Sequence, residues 1–136
     1  MIKPIIRDQQ FLKIKSKPAT KSDVATVTDL VDTLKANSDR GVGMAANMIG
    51  VSKRIIAIEM GIMTIAMINP TITKKTGPYE AMEGCLSLPG ERKATRYKDI
   101  EVRYLDHNFK QQTQHFSGWF AQIIQHEVDH CDGILI

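Results

Sequence analysis

Apolar residues recur at helical spacing between Ser22 and about Ala36, where Val24, Val27, Leu30, Val31 and Leu34 are separated by polar positions. The pattern predicts an amphipathic helix, capped by Ser22 or Thr20 and ended near Asn37 and Gly41. Ahead of it lie twenty basic, irregular residues interrupted by Pro4 and Pro18. Behind it, Gly41 to Gly50 (GVGMAANMIG) reads as a glycine-punctuated loop of small residues. Two apolar runs, Arg54 to Glu59 and Ile62 to Asn69, predict a hairpin turning at Gly61. One or two short strands are expected from Thr71 to Glu80, interrupted at Gly77 and Pro78. Ile100, Val102 and Tyr104 alternate with charges, and Asp106, His107 and Asn108 turn the chain into a polar strand ending near Phe116. Ser117 is placed to cap a last helix carrying Trp119, Ile123, His126, Glu127 and His130, with Gly133 as its stop. The fold class expected is α+β, with one N-terminal helix and mostly antiparallel strands packed around the C-terminal helix.

Composition narrows the class of protein. With 136 residues, 43% hydrophobic and 24% charged, the chain is expected to form a single globular domain over residues 1–136, which excludes disordered and low-complexity classes. A formal charge of +3 is too small to imply nucleic acid as a direct partner. The longest apolar stretches are broken by Glu59, Gly61 and Asn69, short of a membrane span, so no membrane partner is expected. The opening MIKPIIRDQQ has no apolar core followed by a cleavage site, and a reduced, cytoplasmic setting is expected. A domain of this size needs no disulfide framework, so Cys85 or Cys131 would matter through its chemistry.

The sharpest chemical signal is HEVDH at His126 to His130. On a helix these two histidines lie roughly 40° apart around the axis and about 6 Å along it, so both rings can reach one metal ion. Glu127 is turned about 100° from His126, close enough to meet a metal-activated water without being a ligand. A third ligand must come from elsewhere. Cys131 points about 100° away from His130 and is a poor candidate. His107 sits in a turn, and His115 reads as a solvated side chain in a polar strand. Cys85, in EGCLSLPG, stands on an irregular segment beside Gly84, from which a thiolate can approach a metal. Read alone, it is more readily a small buried hydrophobe, and HEVDH in the same chain reverses that preference toward a ligand.

GVGMAANMIG, EGCLSLPG and QHEVDHCDG, in this order, resemble the three motifs of the peptide deformylase family, and the likeness runs from IIRDQQFLKIKSKP to HEVDHCDGILI. The resemblance implies an α+β fold around a C-terminal metal-binding helix. It implies one divalent ion, Fe(II) in the cell with Ni(II) or Zn(II) as substitutes, held by Cys85, His126 and His130. The implied reaction is removal of the N-formyl group from the initiator methionine of nascent polypeptides. Metal-activated water attacks the formyl carbon, Glu127 acts as acid/base, and the backbone N–H of Leu86 donates to the oxyanion. Gly41 and Gly43 would let the peptide lie against the loop as an added strand. Met44, Ile123 and Trp119 are expected to line the pocket for its methionine, although Ile123 and Trp119 could equally be core residues. Asp129 is expected behind the ligands, with Arg96 as its partner on resemblance. The implied partners are N-formylmethionyl nascent peptides, with transient proximity to the ribosome.

One motif position departs from the family. Where most members read GxGLAAxQ and the glutamine donates to the formyl oxygen, this chain has Met48, whose thioether cannot donate. Met48 therefore enters the substrate site as a missing donor, which typically costs ~10²–10³ in turnover. Asn47 carries an amide but is one residue off and should project elsewhere. Met44 in place of the usual leucine is a change of similar volume. Three readings follow: a deformylase, a metal hydrolase of the same fold acting on a different acyl peptide, and a weakly active or non-catalytic metal- or peptide-binding relative.

Overall fold

The computed structural model describes residues 1–136 and contains one five-stranded sheet and three α-helices. The strands are β1 (Gly43–Ala45), β2 (Ile55–Met60), β3 (Met63–Gly84), β4 (Glu91–Leu105) and β5 (Gln111–Ser117). They lie in sequence order, each antiparallel to the next. The helices are α1 (Gln9–Leu12), α2 (Val24–Ala36) and α3 (Gly118–Cys131).

The expected hairpin forms where the sequence places it. Met60 pairs with Met63 across a two-residue turn in which Gly61 has φ +67°, a conformation glycine adopts without strain. The strands expected on either side of Asn69 are instead one long strand, β3. Register shifts between Ile68 and Thr71 and between Ile72 and Lys74 mark irregularities that bend it without ending it. Gly77 and Pro78 do not interrupt it either. Beyond Ile68, β3 is bonded along one edge only, to β4, and the ring of Pro78 needs no ladder partner on the open side.

β4 is also longer than its apolar alternation suggests. Ala94 and Arg96 are buried at alternating positions ahead of Ile100, Val102 and Tyr104. A buried arginine takes a place normally held by a hydrophobe, and the alternation is hidden by it. In the N-terminal segment expected to be irregular, Asp8 caps the single turn of α1 by accepting from the Gln10 N–H, and Leu12 is fully buried. The glycine loop holds β1 and a 3₁₀ turn over Ala46–Ile49.

Both α2 and α3 pack on the sheet. α2 lies against β2 and β3, whereas α3 touches β1, β2, β4 and β5. The sheet thus curls around α3, as expected, with Leu30, Leu34, Ile56, Ile58, Met67 and Ile124 fully buried between the layers. Burial of such side chains supplies roughly 1.5–3 kcal/mol each. Ser117 occupies the N-cap position, and Gly133, at φ +75°, follows the C-cap Asp132. A Cβ on Gly133 would stand 2.3 Å from the carbonyl oxygen of Lys13, so this close crossing requires glycine. No helix is long and apolar enough to cross a membrane.

Candidate metal centre

α3 carries His126 and His130 one turn apart, with ring centroids 5.1 Å from each other. Cys85 follows the last residue of β3 and opens the loop to β4, which brings it over the helix. Its Sγ lies 3.2 Å from His130 Nε2, and one ligand atom from each of Cys85, His126 and His130 falls within 4.8 Å of the others. The backbone N–H of Ser87 donates to the same sulfur at 3.4 Å. Thiolate and two imidazoles suit a borderline divalent cation such as zinc or iron.

The surroundings of the histidines fit that use. His126 Nδ1 is 2.9 Å from Glu83 Oε1, which leaves Nε2 as its free nitrogen. Burial opposes charge on His126, but Glu127, Cys85 and Glu83 outweigh it and raise its pKa to about 10. That surplus of negative charge is what a divalent cation would meet. His130 is fully buried, and burial first, then His126 and Arg96, lowers its pKa to about 3. Its ring is neutral, whereas that of His126 would give up a proton to a metal on binding it.

Glu127 is almost fully buried, and its Oε1 has no hydrogen-bond partner. Burial pushes its pKa up to about 7, against the pull of His126. Its carboxylate lies close to Gly43, where a Cβ would stand 2.8 Å from Glu127 Oε2 and 2.7 Å from Ile123 Cγ2. The glycine of β1 therefore makes room for the glutamate.

These residues open on a cleft of about 700 Å³. Gly41, Gly43, Leu86, Trp119 and Ile123 line it together with Cys85, His126 and Glu127. Trp119 is 59% exposed, which rules out the core alternative for it, while Ile123 is both buried and part of the wall. Two expectations need correction. Met44 and Met48 do not line the cleft. Met44 is fully buried in the core opposite Ala57, and Met48 is buried with its sulfur accepting from the Ala45 N–H at 3.4 Å. β1 carries Met44 inward and the 3₁₀ turn over Ala46–Ile49 carries Met48, where their hydrophobic area is best removed from water. Asn47 projects elsewhere, as expected, and its Nδ2 donates to the His130 carbonyl at 3.0 Å.

Arg96 meets Asp129 through Nη1 at 2.7 Å, and it also binds a residue that sequence reasoning missed, Glu83. Glu83 accepts from Arg96 Nη2 at 2.7 Å and from Gln122 Nε2 at 2.9 Å, besides facing His126. Burial alone would raise its pKa, but the bonds to His126, Arg96 and Gln122 prevail and lower it to about 2. Its position two residues before Cys85 was the available signal, since histidine ligands commonly back onto a carboxylate. Arg7 was also missed; its Nη1 donates to the Leu86 carbonyl at 3.0 Å, tying the N-terminal segment to the Cys85 loop.

The family model for polypeptide deformylase matches residues 2–136. A peptide deformylase of Clostridium beijerinckii is 57% identical over 136 residues, covering all of both chains. Among solved structures, the peptide deformylase of Thermotoga maritima superposes with a TM-score of 0.90 at 30% identity, covering 99% of this chain and 95% of that one. A class I type b peptide deformylase of Acinetobacter baumannii, bound to Met-Ala-Ser, gives 0.89 at 27% identity, covering 99% and 96%.

Proposed function

The chain belongs to the polypeptide deformylase family, a family of metalloenzymes that remove the formyl group from nascent peptides, and from that premise we propose how its own residues carry out the reaction. Cys85, His126 and His130 hold one divalent ion, Fe(II) in the cell, with Ni(II) or Zn(II) able to use the same thiolate and imidazole donors. That ion supplies Lewis-acid polarisation and brings the pKa of a water toward neutrality. Glu127 takes the proton of the attacking water and returns it to the amine nitrogen as the C–N bond breaks. The Leu86 N–H donates to the formyl oxygen as negative charge gathers there.

The substrate's backbone lies along β1 beside Gly41 and Gly43, which line the cleft. Its methionine packs against Ile123 and Trp119. The tripeptide Met-Ala-Ser bound by the Acinetobacter baumannii relative has the composition of such a product, which supports this use of the cleft. Arg96 and Asp129 stand behind the ligand set, joined to it through Glu83. The working setting is the cytoplasm, with transient proximity to the ribosome as nascent chains emerge.

One observation carries this reading: a Cys/His₂ donor cluster, of which Cys85 and His126 line the cleft, stands beside Glu127, a cleft residue with a buried, partnerless carboxylate oxygen. A structural metal site has no need of an unengaged base beside it. The test is a paired assay on anaerobically purified, iron-loaded protein with formyl-Met-Ala-Ser and acetyl-Met-Ala-Ser. Cleavage of the formyl peptide alone is expected. Equal cleavage of the acetyl peptide would move the assignment to a broader acyl-peptide hydrolase, and cleavage of neither would leave a binding protein.

A further inference from the structure

Gln122 stands four residues before His126 on α3 and therefore lies one turn away on the same face. The two side chains hold different oxygens of one carboxylate. His126 Nδ1 is 2.9 Å from Glu83 Oε1, and Gln122 Nε2 donates to Glu83 Oε2, also at 2.9 Å. Arg96 completes the set, donating through Nη2 to Oε1 and through Nε to both oxygens. The orientation of the Gln122 amide is determined by Glu83, whose carboxylate can only accept, and the Tyr79 hydroxyl on β3 donates to the remaining Oε1 at 3.3 Å. The amide nitrogen must then face Glu83.

We propose that Gln122 is a positioning residue that ties the Glu83 carboxylate to α3 and, through it, holds the ring of His126. Arg96 on β4 already grips both oxygens and sets the carboxylate plane from the sheet, which leaves free the position of Glu83 relative to α3. A donor on Oε2 from the helix that bears His126 removes that freedom. The His126 Nδ1–H then keeps one fixed acceptor, and its Nε2 one fixed direction. A turned-over amide would present Gln122 Oε1 to the carboxylate, and Tyr79 adds a donor to Oε1 in the native orientation. This inference rests on His126 being a metal ligand. Removing a direct partner of a ligand histidine costs about 10–100-fold in metal affinity or activity. Gln122 acts one bond further out, and about 5-fold is expected.

Because Gln122 also lines the cleft, the test must separate positioning from simple wall contact. Gln122→Met keeps side-chain length and removes the amide. Its affinity for Zn(II), by competition with a chromophoric chelator, should fall about 5-fold. The visible spectrum of the Co(II)-loaded protein should shift, and kcat for formyl-Met-Ala-Ser should fall with KM unchanged within about twofold. Tyr79→Phe should move all three in the same direction by about twofold. Unchanged affinity and spectrum with a raised KM would overturn the proposal, leaving Gln122 as cleft wall. If Gln122→Met does not fold, Tyr79→Phe decides alone, and unchanged affinity and spectrum there overturn it. His126→Ala is the control for the underlying reading. If it keeps the metal, the ligand assignment fails and takes the inference with it. If it loses the metal while Gln122→Met binds normally, only the inference fails.

Discussion

Replacing Gly43 by alanine adds one methyl group at the point where β1 passes the catalytic helix. Its Cβ would stand 2.7 Å from Ile123 Cγ2, 2.8 Å from Glu127 Oε2 and 3.1 Å from Glu127 Cγ. Carbon atoms pack at about 3.5–4.0 Å, so the neighbours must retreat by several tenths of an ångström. Both neighbours are equally buried, but the β-branched Ile123 is stiff at its first torsion and the unbranched Glu127 is not, so Glu127 yields. Overpacking of this kind costs about 1–3 kcal/mol. For 136 residues the unfolding entropy is about 0.29 kcal/mol/K, or roughly 3.5 °C per kcal/mol. The midpoint should therefore fall by roughly 3–10 °C. A displacement of up to about 1 Å in a catalytic group costs on the order of 10²-fold in rate. None of the three ligand side chains is among the nearest neighbours of the new methyl, so the metal should remain. The assay compares metal content, calorimetric midpoint and turnover of formyl-Met-Ala-Ser in Gly43→Ala and the parent. Gly84→Ala is the control for stability, since its Cβ meets only the Gly90 carbonyl at an ordinary 3.7 Å. Gly43→Ala protein that is metal-loaded and turns over within about threefold of the parent would refute the placement of Glu127 as the base.

Cys85→Ala should remove most bound metal and Cys131→Ala should not, as measured by elemental analysis; equal content in the two would sink the ligand set. In metal-free protein, iodoacetamide should modify Cys85 and spare Cys131, which is fully buried with its thiol pushed up to about 12 by that burial. Peptide mapping that finds both labelled in the folded state would contradict this. Glu127→Gln should keep the metal yet lose about 10²-fold or more in turnover, and full activity in the loaded variant would falsify its role as acid/base. Met48→Gln should lower the midpoint by roughly 3–10 °C, because a buried amide donor without a partner costs about 1–3 kcal/mol. Turnover should stay within about threefold of the parent; a tenfold rise would place residue 48 on the cleft wall after all.

Much of the site was legible along the chain because its strongest parts are local. The spacing of His126 and His130 determines that both project from one face of α3, and this follows from helix geometry alone. The apolar run of β2 and the turn at Gly61 were readable for the same reason. Order and type of the three motifs sufficed to name the family. The pairing of Arg96 with Asp129 was expected only on resemblance, and the near-complete burial of that arginine was not.

Tertiary structure decided the rest. Without HEVDH, Cys85 read more readily as a buried hydrophobe. It lies 45 residues from His130, and only the long β3–β4 hairpin sets its sulfur 3.2 Å from the ring nitrogen. The unbroken run of β3 through Gly77 and Pro78 depends on its having a single bonded edge there, a fact about neighbours and not about those residues. Met44 and Met48 carry the same side chains whether a loop turns them toward substrate or into the core, and packing turned them inward. Glu83 and Gln122 gained their roles only when two elements came within hydrogen-bond distance. Periodicity records which face of one element is buried, whereas contacts between elements depend on strand lengths, bulges and sheet curvature, which no local spacing encodes.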